Sequence, residues 1–159
     1  DSIIFLGHGA SDTLYGSPQD GEFTVLINET NIQELLYGKR CFILACNSYE
    51  FCENYNLTSF IGFGNMPTGI VDVKIAMEAD TTFPSLEKED IDTYDAALVS
   101  LLIRAFNVAW LTDMEKLYSK IRLYANVEIG ECLINKPCKM FREVADLLQD
   151  FKNDCTYCP

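Results

Sequence analysis

Histidine occurs once in these 159 residues, and basic side chains are few: 12 lysines and arginines stand against 24 aspartates and glutamates. The net charge of -12 repels a nucleic-acid backbone or an anionic membrane over most of the surface, which leaves basic or neutral peptides as natural partners. No apolar run approaches the roughly 20 residues that a bilayer-spanning helix needs. The longest, "AALVSLLIRAFNVAWL" from Ala96 to Leu111, carries Arg104 near its middle and reads as a core helix. No G-x-S-x-G elbow follows an apolar run, which excludes a serine hydrolase built on that turn. "GFGN" is too short for a glycine-rich nucleotide fingerprint, and no G-K-S/T follows it. Zinc deaminase chemistry fails too, because Gly-Ala follows His8 and no P-C-x-x-C is present. Seven cysteines are an odd number for a fully disulfide-bonded module, and a chain this long does not need such stapling. A reducing, cytoplasmic location is the expectation.

The chain has the length of one domain with its own core. Ile3 to Leu6 is a continuous apolar run stopped by Gly7, the pattern of a strand in a parallel sheet with both faces covered. Asp12 to Gly21 is rich in turn formers and reads as a loop or hairpin, followed by an extended piece from Phe23 to Ile27. Thr30 or Asn31 can cap a short helix that Gly38 ends. Phe42 to Ala45 and Ser59 to Phe63 are two further buried strands. Strand, helix, strand, helix, strand predicts an α/β domain, a mostly parallel sheet flanked by helices in three layers.

Beyond Pro67 the pattern turns helical. Val71 to Ala79 is a short helix candidate, and Glu78 to Asp95 is an acidic stretch read as a solvated loop. Helices are expected over 95–111, 113–124 and 139–152, the first with a polar stripe of Ser100, Arg104 and Asn107. One domain over 1–159 is expected, with a catalytic α/β part in 1–79 and a helical part in 90–159. The apolar helix also offers a surface for self-association.

His8 follows one buried strand directly, and Cys46 follows another in "CFILACNSYE". In a parallel sheet, chemistry collects at the carboxyl ends of strands. Adjacent strands lie about 5 Å apart, so the two side chains can meet through one substrate atom. A thiolate nucleophile and an imidazole that protonates a leaving amine are the parts of a cysteine protease. Gly9 leaves room for a substrate carbonyl, and its N–H, with that of Cys46, can hold an oxyanion. Small Ala45 and polar Asn47 and Ser48 are expected to leave Cys46 accessible at the start of a loop or helix, where a helix amino end favours the thiolate.

"GHG" after one apolar strand and "ACNS" after the next resemble the histidine and cysteine motifs of the caspase-like cysteine peptidases. That group includes caspases, metacaspases, legumain, gingipains, separase and bacterial CHAT domains, and the likeness covers about residues 3 to 65. It implies a His8–Cys46 dyad, an oxyanion hole at Gly9 and Cys46, no cofactor and a peptide or protein substrate. It also implies that "SFIGFGN" is the next strand and that the loop after it, with Asn65 and Met66, lines the substrate groove beside Asn47. Family members preferring Arg or Lys use an acidic residue upstream or just before the cysteine. Leu44 stands two before Cys46 here, so Asp72 is the substitute considered. Only Asp1 and Ser2 precede the histidine strand, where family members have two strands and a helix, so those elements are expected to be absent, supplied by a partner segment completing the sheet, or cut from this chain.

Two other readings stand beside this one. An inactive relative would use the same scaffold for binding. Alternatively, Cys132, Cys138, Cys155 and Cys158 could bind zinc and stabilise an interaction domain, although the first pair is spaced more widely than a zinc knuckle.

Overall fold

The computed structural model describes residues 1–17, 22–66 and 86–159. The first apolar run forms β1 (Ser2–Leu6), followed by three short strands, β2 (His8–Gly9), β3 (Leu14–Tyr15) and β4 (Val25–Ile27). Next come α1 (Ile32–Leu36), β5 (Arg40–Leu44), α2 (Ser48–Asn54) and β6 (Phe60–Gly62). Three longer helices, α3 (Lys88–Val108), α4 (Met114–Asn135) and α5 (Phe141–Asp154), precede a last strand, β7 (Thr156–Cys158). The chain is thus α/β, with a mostly parallel sheet and helices.

The main sheet has the order β1-β5-β6-β7. β1 and β5 run parallel in continuous register from Ser2↔Arg40 to Leu6↔Leu44, and β6 runs parallel to β5 through Cys41↔Phe60. β7 closes the other side antiparallel to β6, with Phe60 opposite Cys158. The apolar runs form strands here because both faces of β5 and β6 are covered: Cys41, Phe42, Ile43, Phe60 and Ile61 are all buried. β1 is the edge strand and alternates instead, with Ile3 and Phe5 against the core while Ile4 and Leu6 are exposed. On one face, Ile32 and Leu36 of α1 and Phe51 and Cys52 of α2 pack with Cys41, Ile43 and Phe60.

Within the stretch read as a loop or hairpin over 12–21, the described residues up to 17 contribute a hairpin strand. β2, β3 and β4 form a small antiparallel sheet in which His8 faces Tyr15 and Leu14 faces Ile27. Asn31 is the residue before α1, as expected, but its side chain makes no cap. It folds back instead, accepting from the Asn28 amide and donating to the Leu26 carbonyl, and so fixes the turn out of β4. Gly38 stops the helix region at φ +70°, which glycine adopts without a Cβ penalty.

The chain forms two compact units, and the division is not the expected one between an early and a late half. The first contains 1–66 together with 109–119 and 154–159, so the start of α4 and the whole of β7 return to the unit of the sheet. The second is described over 86–108 and 120–153. Its core joins Ile91, Tyr94, Leu98 and Leu101 of α3, Ile121 and Ala125 of α4, and Val144, Leu148 and Phe151 of α5, all buried.

Two sequence expectations need correction in this second unit. α3 starts at Lys88, so the end of the acidic stretch is helix, with Glu89 and Asp90 in its favourable first turn. α4 runs to Asn135 rather than stopping near Tyr124. The polar stripe on α3 meets α4 through two of its three residues. Ser100 donates to Glu128 Oε1 at 2.7 Å and Arg104 donates to the same oxygen at 3.1 Å, binding α3 to α4. The helix proposed over 71–79 lies outside the described residues. No helix among the described residues is long and apolar enough to cross a membrane.

Candidate active site

The parallel register explains how two residues so distant in sequence share one rim. Every β1–β5 pair has the same offset of 38 residues. Carried two steps past Leu6 and Leu44, that offset aligns His8 with Cys46. The Gly7 amide donates to the Leu44 carbonyl at 3.2 Å, which closes the last pair of the ladder, and His8 then turns into β2 and pairs with Tyr15. Both chains therefore leave the sheet at the same edge.

Contact across that edge is direct at Gly9. A Cβ placed on Gly9 would lie 2.5 Å from the Cys46 carbonyl oxygen and 3.1 Å from the Ala45 Cβ. Glycine is required because the backbone after the histidine rests on the backbone that carries the cysteine. His8 itself is half-buried, and the hairpin orients it. Its ring meets Phe23 edge-on at 4.8 Å between centroids, and Phe23 in turn lies 5.9 Å from Tyr15. Phe23 was not a candidate in the sequence, where nothing in an acidic, glycine-rich neighbourhood marks it as a partner of His8.

Cys46 is half-buried, between the end of β5 and the start of α2. Its thiol donates to the Met66 carbonyl at 3.0 Å, and the Met66 amide lies 3.5 Å from the same sulfur. The segment after β6 is laid along this region by two further bonds, Asn47 N to Gly64 O at 2.9 Å and Tyr49 N to Phe63 O at 3.0 Å. Gly62 allows the approach, because a Cβ there would come within 2.9 Å of the Tyr49 backbone. Asn47 adopts the left-handed conformation at φ 54°, a conformation asparagine tolerates better than most residues, and its carbonyl accepts the Phe51 amide of α2. α2 is a short helix of seven residues that begins two residues after Cys46.

Ser48 does not keep the cysteine accessible, contrary to its reading from sequence. It is completely buried, donating to the Ile43 carbonyl at 2.8 Å and accepting from the Phe63 amide at 2.8 Å. One hydroxyl thereby ties the ends of β5 and β6 to the first turn of α2. Alanine at this position leaves a buried N–H without its acceptor, so Ser48→Ala should lower stability by about 2 kcal/mol, read from urea denaturation. An unchanged midpoint would contradict this role.

The remaining sequence candidates divide. Asn65 is exposed on the loop after β6, at the rim. Met66 is next to Cys46 as expected, but its side chain is buried and only its backbone faces the sulfur, so it does not offer a side chain to a groove. Asp72 lies outside the described residues. The four cysteines considered for zinc divide between the two units. Cys132 and Cys138 belong to the second unit, where the Cys132 thiol donates to the Phe141 carbonyl and burial pushes the Cys138 thiol up to about 11, aided by its hydrogen bond to Asp90. Cys155 and Cys158 belong to the first unit, with Cys158 paired into the sheet. Among the described residues no group of three or more histidine, cysteine, aspartate or glutamate side chains is placed to hold a metal ion.

Two other thiols of the first unit, Cys41 on β5 and Cys52 on α2, are poor nucleophiles. Burial pushes Cys41 up to about 11, against a smaller opposing effect of Lys39, and burial raises Cys52 further still. Both are in the core, where an electrophile does not reach. Family models, curated proteins and solved structures give no match to this chain.

Proposed function

We propose that the chain is a caspase-like cysteine endopeptidase acting on basic or neutral peptides, with Cys46 as nucleophile and His8 as its proton carrier. The observation that carries the reading is the backbone contact of Gly9 with Cys46, which brings the loop after the histidine onto the residue bearing the thiol. The reaction needs no cofactor. As the Cys46 sulfur attacks the peptide carbonyl, its proton passes to the imidazole and the carbonyl oxygen becomes an oxyanion near the Gly9 and Cys46 amides. The C–N bond then breaks while the imidazolium protonates the departing amine. Water hydrolyses the thioester and restores the thiol. A reducing compartment suits a nucleophile of this kind, and the net charge of -12 favours cationic or neutral substrates over nucleic acid.

A non-catalytic binding module is the second reading, and one observation favours it. The Cys46 thiol is already engaged by the Met66 carbonyl, an arrangement that stabilises the thiol rather than the thiolate. A peptidyl acyloxymethyl ketone separates the two. The endopeptidase should be labelled at a single cysteine, and both Cys46→Ala and His8→Ala should abolish that labelling. A wild-type protein that stays unlabelled across a panel of basic and neutral peptidyl reagents would overturn the catalytic reading.

A further inference from the structure

The two polar atoms of Met66 flank the Cys46 sulfur with opposite hydrogen-bonding character, and the sulfur needs each of them in a different protonation state. A thiol has a proton to give and donates to the carbonyl at 3.0 Å. A thiolate has only lone pairs, so the same oxygen would repel it, while the amide now 3.5 Å away would attract it. We propose that the Met66 backbone is a positioning group for the Cys46 nucleophile, holding the thiol through its carbonyl at rest and stabilising the thiolate through its N–H once the proton has left. This rests on Cys46 as the reactive residue and adds how its reactivity is set.

The surroundings suit a small backbone adjustment. The Met66 side chain is 2% exposed, which anchors the residue, while its neighbour Asn65 is exposed. Upstream, Phe63 and Gly64 are held by the Tyr49 and Asn47 amides and so provide a fixed base. A rotation of the peptide unit between Asn65 and Met66 can bring the N–H toward sulfur without moving β6. Titratable groups on the elements packed here are His8 on β2, Tyr49, Glu50 and Glu53 on α2, and Asp154, whose carboxylate lies against Gly64. When the sulfur ionises, its proton passes to His8 or to water.

The test reads the sulfur rather than peptide hydrolysis, so its outcome is independent of whether the protein cleaves peptides. Iodoacetamide alkylates a thiolate with loss of iodide, and site-resolved mass spectrometry follows Cys46 among the seven cysteines. Met66→Pro removes the N–H and keeps the carbonyl, whereas Met66→Leu keeps both and fills a similar volume. The proline variant should shift the alkylation midpoint upward and slow reaction at pH 7.5 by about tenfold, the equivalent of one pKa unit. The leucine variant should match wild type. Because the proline variant could fail to fold, the wild-type protein is also labelled with 15N-methionine. The Met66 amide signal, assigned by its loss in Met66→Leu, should titrate with the alkylation midpoint, lose that response in Cys46→Ala and keep it in His8→Ala. A folded proline variant with the wild-type midpoint, or a Met66 amide indifferent to Cys46 ionisation, would overturn the proposal.

Discussion

Gly9→Ala should destabilise the protein by about 3 kcal/mol and slow modification of Cys46 by a peptidyl electrophile by about 100-fold. The magnitude follows from what the new methyl group meets. Its nearest neighbour, at 2.5 Å, is a carbonyl oxygen of the Cys46 backbone, and the next, at 3.1 Å, is the Cβ of Ala45. Neither is the tip of a flexible side chain that can turn away. Ala45 is wholly buried at the end of β5, and the Gly7 amide still bonds the Leu44 carbonyl just beneath, so relief requires β2 to move off the rim or the Cys46 peptide to tilt. Either movement displaces the backbone that carries His8 from the backbone that carries Cys46, and the proposed dyad depends on that juxtaposition. Gly130→Ala provides the comparison. A Cβ there meets nothing within 4 Å, so that variant should keep wild-type labelling. Urea denaturation and labelling rate measured on both variants decide the matter; a Gly9→Ala protein with unchanged labelling would mean that the rim is not where Cys46 reacts.

Gly9 also shows what a sequence can and cannot reveal about this site. The three parallel strands are legible as apolar runs ended by a small or polar residue, but burial on both faces holds only for β5 and β6; β1 carries the same pattern at the sheet edge, with Ile4 and Leu6 exposed. The glycine beside His8 is legible as a place of close approach, though not which atoms approach it. β7 is invisible by the same logic. "TYC" is three residues without periodicity, and it becomes a strand only because β6 presents an edge to it. Ser48 and Met66 fail for a related reason. A serine in "ACNSYE" looks like a polar residue at a site, and only the meeting of β5, β6 and α2 turns its hydroxyl into a buried tie. Met66 reads as an apolar groove residue, yet its contribution is made by the backbone, which no residue type announces. The acidic stretch before Asp95 reads as a loop from its charge density, yet acidic residues also suit the first turn of a helix, and α3 begins within it at Lys88.

Asp90 is the residue where that difference matters most, and Asp90→Ala should cost about 3 kcal/mol at neutral pH. The carboxylate is 2% exposed and carries three hydrogen bonds. Its Oδ2 accepts from the Glu87 amide at 2.9 Å, closing the start of α3, and its Oδ1 accepts from the Met140 amide at 3.1 Å, tying that start to the turn between α4 and α5. The Cys138 thiol supplies the third. Alanine would leave both amides without an acceptor inside the second unit. Burial alone would raise the carboxyl above its ordinary value of 3.8, but the amide and thiol bonds, with Lys139 nearby, outweigh it and hold it lower. A carboxyl depressed in the folded state contributes its stabilisation in full above 3.8 and loses it as pH falls through the lower folded value. The gap in stability between wild type and Asp90→Ala should therefore be widest near neutrality and narrow in acid below that value. Urea denaturation of both proteins across this range measures the gap directly, and a gap that stayed constant into acid would show that Asp90 acts by filling space rather than by its charge.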